Sequence, residues 1–184
     1  QWLGHERERS ASFRVVEMEQ NQTLQVEGLS LTLRPDRIDE FEDGRRAVID
    51  YKTRAPSRTS WLGERPQEPQ LPLYSLLDPK IQGIAFAELS ASDPVQFIAL
   101  GEDLGLAKGD NKSLEQQTRS IAATWPELVA QWKASLQQLA REFMAGEASV
   151  SPQPSACDYC DLASLCRTNE VSANADPAAL EDPA

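Results

Sequence analysis

Two charged side chains, Asp50 and Lys52, follow Val48 where a buried strand would continue apolar. They belong to a stretch that reads as a β-hairpin. Apolar-rich runs at Ile38 to Phe41 and Ala47 to Tyr51 are separated by the turn signal Asp43-Gly44. Side chains alternate along a strand, so Asp50 and Lys52 emerge on one face and Ile49 and Tyr51 on the other. Asp36, near the far end of the partner strand, can approach the same spot. Two carboxylates about 4 Å apart repel by about 4 kcal/mol at an effective dielectric of about 20. A divalent cation between them removes that penalty, and a nearby lysine completes a site able to activate water.

A second group lies downstream. Trp61 to Pro66 leads into Gln67 to Tyr74, where Pro69 and Pro72 are tolerable only in a first helical turn. A helix starting near Pro69 puts Gln70 and Tyr74 on one face, because i and i+4 are neighbours. Asp36 followed by Asp50-x-Lys52 resembles the PD-(D/E)XK nuclease signature. The wording Asp36-Arg37-Ile38-Asp39 and Val48-Ile49-Asp50-Tyr51-Lys52-Thr53 is similar to its RecB-like branch, found in bacterial recombination and repair nucleases. That branch carries a Gln-x-x-x-Tyr element after its Asp-x-Lys strand, which Gln70 and Tyr74 match.

The resemblance implies an α/β fold, a mixed sheet flanked by helices, and hydrolysis of DNA phosphodiester bonds. It implies Mg²⁺ (or Mn²⁺) held by Asp36, Asp50 and the main-chain carbonyl of Tyr51. Lys52 would orient or deprotonate the attacking water. Gln70 and Tyr74 would position the metal-site loop or the DNA backbone, and Arg54 and Arg58 would contact phosphates. Two departures stand out. Pro35 precedes Asp36 where related nucleases place a small residue. A further metal-site residue, His or Glu on an upstream helix, has no counterpart before Gln1, and Glu19 is only a weak candidate for it.

The cysteines form a separate group. After the Pro- and Ser-rich stretch Ser149 to Ser155 come Cys157, Cys160 and Cys166, too regular for scattered buried thiols. Thiolates so spaced suit zinc or an iron–sulfur cluster, either of which normally takes four protein ligands. Several RecB-like nucleases, including AddB-type proteins, bind a four-iron cluster with three C-terminal cysteines and one far upstream. The chain matches the three, so the resemblance implies a [4Fe-4S] cluster completed in a longer parent protein.

The elements that must position these residues follow from periodicity. Trp2 to Ser10 reads as the end of a charged helix. Phe13 to Glu19 alternates as a strand, and Leu24 to Leu33 alternates and is expected to pair with it across Asn21-Gln22. Ile81 to Leu89 and Val95 to Leu100 read as two more strands around the turn residues Ser90 to Pro94. Gly101 to Lys112 reads as loop. Thr124-Trp125-Pro126-Glu127 is a capping box opening a long helix, with Leu128, Val129, Trp132, Leu136, Leu139 and Phe143 on its core face and a stop at Gly146.

The chain has 184 residues, enough for one domain with a real core, and lacks an initiator Met, as expected of a piece of something longer. Residues 1–150 are expected to form the nuclease core, 151–168 a Cys-rich metal or cluster segment, and 169–184 a disordered acidic tail. No run approaches membrane-spanning length, and three clustered cysteines point to a reducing compartment, so a cytoplasmic location is expected. The net charge of −11 counts mildly against DNA binding. Against it, Arg34, Arg37, Arg45, Arg46, Lys52, Arg54, Arg58 and Arg65 crowd the hairpin and the following loop. The expected partners are DNA and a helicase-like domain or subunit. Two rival readings are a non-catalytic DNA-binding or scaffolding module with the nuclease fold, and a zinc-stabilised interaction domain using the three cysteines and His5. Intact Asp36, Asp50 and Lys52 speak against the first. With few ligands for a weakly held ion, the isolated chain is expected to fold yet to be a poor nuclease.

Overall fold

The protein is described here by a computed structural model covering residues 2–90, 96–102, 104–106, 113–149, 156–158 and 160–166. It divides into two compact units, residues 1–144 and 145–184. The first is an α/β domain built on a five-stranded mixed sheet. Its strands are β1 (Phe13–Met18), β4 (Arg37–Phe41), β5 (Arg46–Lys52), β6 (Ile81–Glu88) and β7 (Gln96–Gly101), hydrogen-bonded in that order. Neighbours run antiparallel except β5 and β6, which are parallel. Helix α2 (Gln70–Ser75) lies in the connection that this parallel pair requires.

The sheet is covered on both faces, which is why its central strands are apolar on both. Ile38, Val48, Ile84, Phe86 and Leu100 face a core shared with Leu71 and Tyr74 of α2. The same core takes Leu128, Trp132 and Leu136 of α4 (Trp125–Met144). Ala47, Ile49, Ala85, Ala87, Phe97 and Ala99 face a smaller core. Leu104, Leu106 and Trp2 of α1 (Trp2–Arg7) close it. Strand β5 therefore alternates as its sequence requires, and Asp50 and Lys52 inherit the α2 face.

The capping box of α4 is formed: Thr124 Oγ1 accepts from the Glu127 amide, and Glu127 accepts from the amides of Ala123 and Thr124. Trp132 Nε1 donates to the carbonyl of Trp61 over 2.7 Å inside the core. This ties α4 to the 3-10 turn Arg58–Trp61 that follows β5. That turn lies where only loop chemistry is evident in the sequence. A short capped helix, α3 (Leu114–Gln117), precedes α4.

One expected pairing differs. Leu24 to Leu33 is two strands, β2 (Gln22–Val26) and β3 (Leu29–Leu33), which among the described residues pair only with each other, and β1 pairs with β4 instead. The cause is visible in the parity of the apolar residues. Leu24 and Val26 are even, Leu29, Leu31 and Leu33 are odd, and the switch falls at Glu27-Gly28. Both of those residues have positive φ (47° and 86°), the geometry of a tight hairpin turn.

In the second unit, the Cys160 amide donates to the Cys157 carbonyl at 3.3 Å and α5 spans Ala163–Cys166. The proposed acidic tail 169–184, most of the linker before Cys157 and the turn expected at residues 91–94 lie outside the described residues. Among the described residues no helix is long and apolar enough to cross a membrane.

Candidate active site

The end of β5 places Asp50 on the α2 face, with its side chain only 3% exposed. A carboxylate so buried needs partners. Oδ1 accepts from Gln70 Nε2 at 2.8 Å. Oδ2 lies 2.7 Å from Lys52 Nζ, paired by charge, yet accepts no well-directed hydrogen bond. Lys52 instead donates to Gln70 Oε1 at 3.0 Å, and its ammonium lies 5.5 Å from the centre of the Phe86 ring. Asp36, in the approach to β4, turns toward the same place: its Oδ2 accepts from the Tyr51 amide at 2.9 Å.

Gln70 holds this group together. Its amide carbonyl accepts from a cation and its amino group donates to Asp50 and, at 3.1 Å, to the Tyr74 hydroxyl. Only this orientation of the amide satisfies both neighbours, because Lys52 has no acceptor and ionised Asp50 no donor. Tyr74 in turn donates to the carbonyl of Arg34, two residues before Asp36. A directional chain thus runs from Lys52 through α2 to the backbone that leads into Asp36. Proline at Pro35 does not disturb it. The Pro35 and Asp36 carbonyls both accept from the Glu19 amide, at 3.0 and 3.2 Å.

Electrostatically the site resists its own charge. Burial, with the nearby negative charge of Asp36 adding to it, pushes Asp50 above the usual carboxylate range. The Lys52 ammonium and the Gln70 bond oppose this without cancelling it. Two convergent carboxylates, one with a buried oxygen lacking a directed donor, form an oxygen-only set that suits a hard cation such as Mg²⁺ or Mn²⁺.

The other expected residues fall less neatly. Glu19 is turned to Arg34, with which it forms an exposed ion pair, and its side chain does not join the site. His5 stacks on Trp2, the ring centres 6.2 Å apart, and lies against Phe97. Cys157, Cys160 and Cys166 are exposed free thiols. Among the described residues no three His, Cys, Asp or Glu side chains gather closely enough to enclose a metal. The basic crowd around the hairpin is largely neutralised from within. Arg34 pairs with Glu19, Arg37 with Glu6 and Asp39, Arg45 with Asp43, Arg46 with Glu40 and Asp78, and Arg65 with Glu142. Arg54 is exposed, and Arg58 opens the 3-10 turn.

Glu88 is a site neighbour that sequence reasoning missed. It sits opposite Lys52 in the β5/β6 ladder and accepts from the Ala55 amide at 3.0 Å, fixing the loop that carries Arg54. A lone acid closing the apolar run Ile81 to Leu89 was the available signal.

The chain matches the family model of the PD-(D/E)XK nuclease superfamily over residues 1–167 and belongs to that superfamily. Nothing among curated proteins matches it.

The raised Asp50 pKa has a signed consequence. Between the unfolded value, about 3.9, and the higher folded one, the native state binds the proton that the unfolded chain has released. Stability therefore falls as pH rises through that window. Asp50→Asn removes the effect; Lys52, a third exposed, can swing into water. The metal-free variant should melt above the parent at pH 7, with the gap closing as pH falls below about 4. Melting curves across pH test this, and a gap that widens in acid contradicts it.

Proposed function

We propose that this chain is a metal-dependent deoxyribonuclease domain of the RecB-like or AddB-like branch. It would serve DNA recombination or repair in the cytoplasm, beside a helicase-like domain or subunit. The observation that carries this reading is the joining of Asp50, Lys52, Gln70 and Tyr74 in one hydrogen-bonded chain, with Asp36 converging on it. An ordinary solvated hairpin face has no reason to bury a carboxylate there.

In this reading Asp36, Asp50 and the Tyr51 main-chain carbonyl hold Mg²⁺ or Mn²⁺. The bound ion supplies Lewis acidity toward the scissile phosphate and makes water a stronger acid. Lys52 Nζ orients the attacking water and gives or takes a proton there, and Asp50 and Gln70 restrict where that ammonium can sit. Gln70 and Tyr74 keep β5 and the chain before Asp36 in fixed relation. Arg54 and Arg58 contact backbone phosphates, which positions DNA without reading its sequence. Residues 1–150 form the catalytic core, 151–168 the Cys-rich segment and 169–184 an acidic tail.

In a cleavage-competent form of the protein extended upstream of Gln1, Asp50→Ala is expected to lower Mg²⁺-dependent DNA cleavage by more than about 100-fold, the upper range for losing a mere supporting partner of a metal ligand. The protein should remain folded. Undiminished cleavage by the purified variant would sink the mechanism.

The cysteines fit the same branch: Cys157, Cys160 and Cys166 would supply three ligands of a [4Fe-4S] cluster, the fourth coming from outside this chain. The chain purified without oxygen should then hold substoichiometric iron and no tightly bound zinc. Stoichiometric zinc lost on His5→Ala would favour the interaction-domain reading instead.

A further inference from the structure

The face of the sheet opposite the site carries a buried ionic network that the mechanism above does not use. Arg37, 8% exposed, donates through Nε and Nη2 to Asp39 at 2.6 and 2.9 Å. Its Nη1 donates to Glu6 of α1 at 2.8 Å and to the Tyr51 hydroxyl at 3.0 Å. Arg9, with 1% of its side chain exposed, reaches Asp39 at 2.7 Å and Glu6 at 3.1 Å and lies 3.6 Å over the Phe13 ring. Asp39 is fully buried. The four charges cancel, but desolvation is costly, and Arg9 Nε and Nη2 find no hydrogen-bond partner among the described residues. Apolar residues of similar volume are often at least as stabilising as such a network, so stability alone explains it poorly.

Its place in the ladder explains it better. Strand β4 begins at Arg37, which pairs with Ile49. Beyond that rung β5 continues to Tyr51 while the partner chain continues to Asp36. Two bonds tie the strands there, one through the Tyr51 backbone and one through its side chain. Toward the site the Tyr51 amide donates to Asp36, and away from it the Tyr51 hydroxyl accepts from Arg37. The Tyr51 ring is further held edge-on by Trp2, with centres 5.5 Å apart.

We propose that Tyr51, Arg37 and Glu6 form a positioning clamp that sets the separation of Asp36 and Asp50 from the far side of the sheet and so sets the affinity for a divalent cation. The inference rests on the metal-site reading above. None of the three side chains touches substrate or ion; they act through the Tyr51 backbone. Loss of a supporting partner typically weakens a metal site by about 10- to 100-fold.

The test is binding, independent of turnover. Mn²⁺ is titrated into this chain, with bound ion read from the loss of its free electron-paramagnetic signal and from the rise in melting temperature. Tyr51→Phe keeps the ring and removes only the hydroxyl; Glu6→Gln keeps the shape and removes the charge. Both should weaken Mn²⁺ binding by about 10-fold. Trp132→Phe, which loses the Trp61 bond elsewhere in the core, is the control. It should lower the melting temperature and leave Mn²⁺ affinity as it was. A parent-like affinity in Tyr51→Phe and Glu6→Gln, with only their melting temperatures reduced, means a purely structural network and overturns the clamp while leaving the metal site standing. Failure of the parent chain itself to bind Mn²⁺ overturns both readings.

Discussion

Asp50 is a negative charge held out of water at the end of a central strand, within reach of a second one at Asp36, and the surrounding structure is arranged around that cost. Strand β5 cannot release Asp50 to solvent, because Val48 and Ile49 on either side of the backbone are locked into the two cores. Lys52 balances the charge but gives Asp50 no directed hydrogen bond. Gln70 is the group that reconciles them, accepting from one and donating to the other. Helix α2 exists in the position it does because Leu71 and Tyr74 bury themselves under β5 and β6 while Gln70 is left facing the carboxylate. Residual electrostatic strain, expressed as the elevated Asp50 pKa, is the condition a bound cation would relieve.

The two faces of the sheet solve different problems with the same hairpin. On the α2 face, β5 contributes Asp50 and Lys52. On the α1 face, β4 contributes Arg37 and Asp39, which close a neutral network with Glu6 and Arg9. Tyr51 belongs to both, with its amide on Asp36 and its hydroxyl on Arg37. It can do so because its amide lies in the plane of the ladder, where the Asp36 side chain reaches it, while its own side chain points to the α1 face.

Much of the site was legible in the sequence because its logic is local. Alternation puts Asp50 and Lys52 together, helical spacing puts Gln70 and Tyr74 together, and the prolines at 69 and 72 mark where the helix begins. The capped helix α4 announced itself through Thr124 and Glu127. What escaped depends on which charges meet across the fold, and periodicity gives a residue's face but not its partner. Glu6 reaches Arg37 across 31 residues of sequence, and Arg65 reaches Glu142 across 77. The arginines of the hairpin therefore read as a basic surface for phosphates, whereas most of them are neutralised by acids of this chain. The β2/β3 hairpin was missed for a different reason. Its turn uses Glu27 in a left-handed conformation that glutamate rarely adopts, and only the parity switch of the leucines records it.

The internal pairing of the hairpin arginines weakens the basic patch that their sequence suggests, against a net charge of −11, so under the proposed function a hold on a phosphate backbone would come chiefly from a bound cation and from the loop that carries Arg54 and Arg58. The central claim is therefore that Asp36 and Asp50 bind such a cation. Crystals of this chain equilibrated with MnCl₂ and measured near the manganese absorption edge address it directly. The account predicts an anomalous peak about 2 Å from carboxylate oxygens of both Asp36 and Asp50 and from the Tyr51 carbonyl. Manganese bound elsewhere, with Asp50 still held only by Lys52 and Gln70, would contradict it.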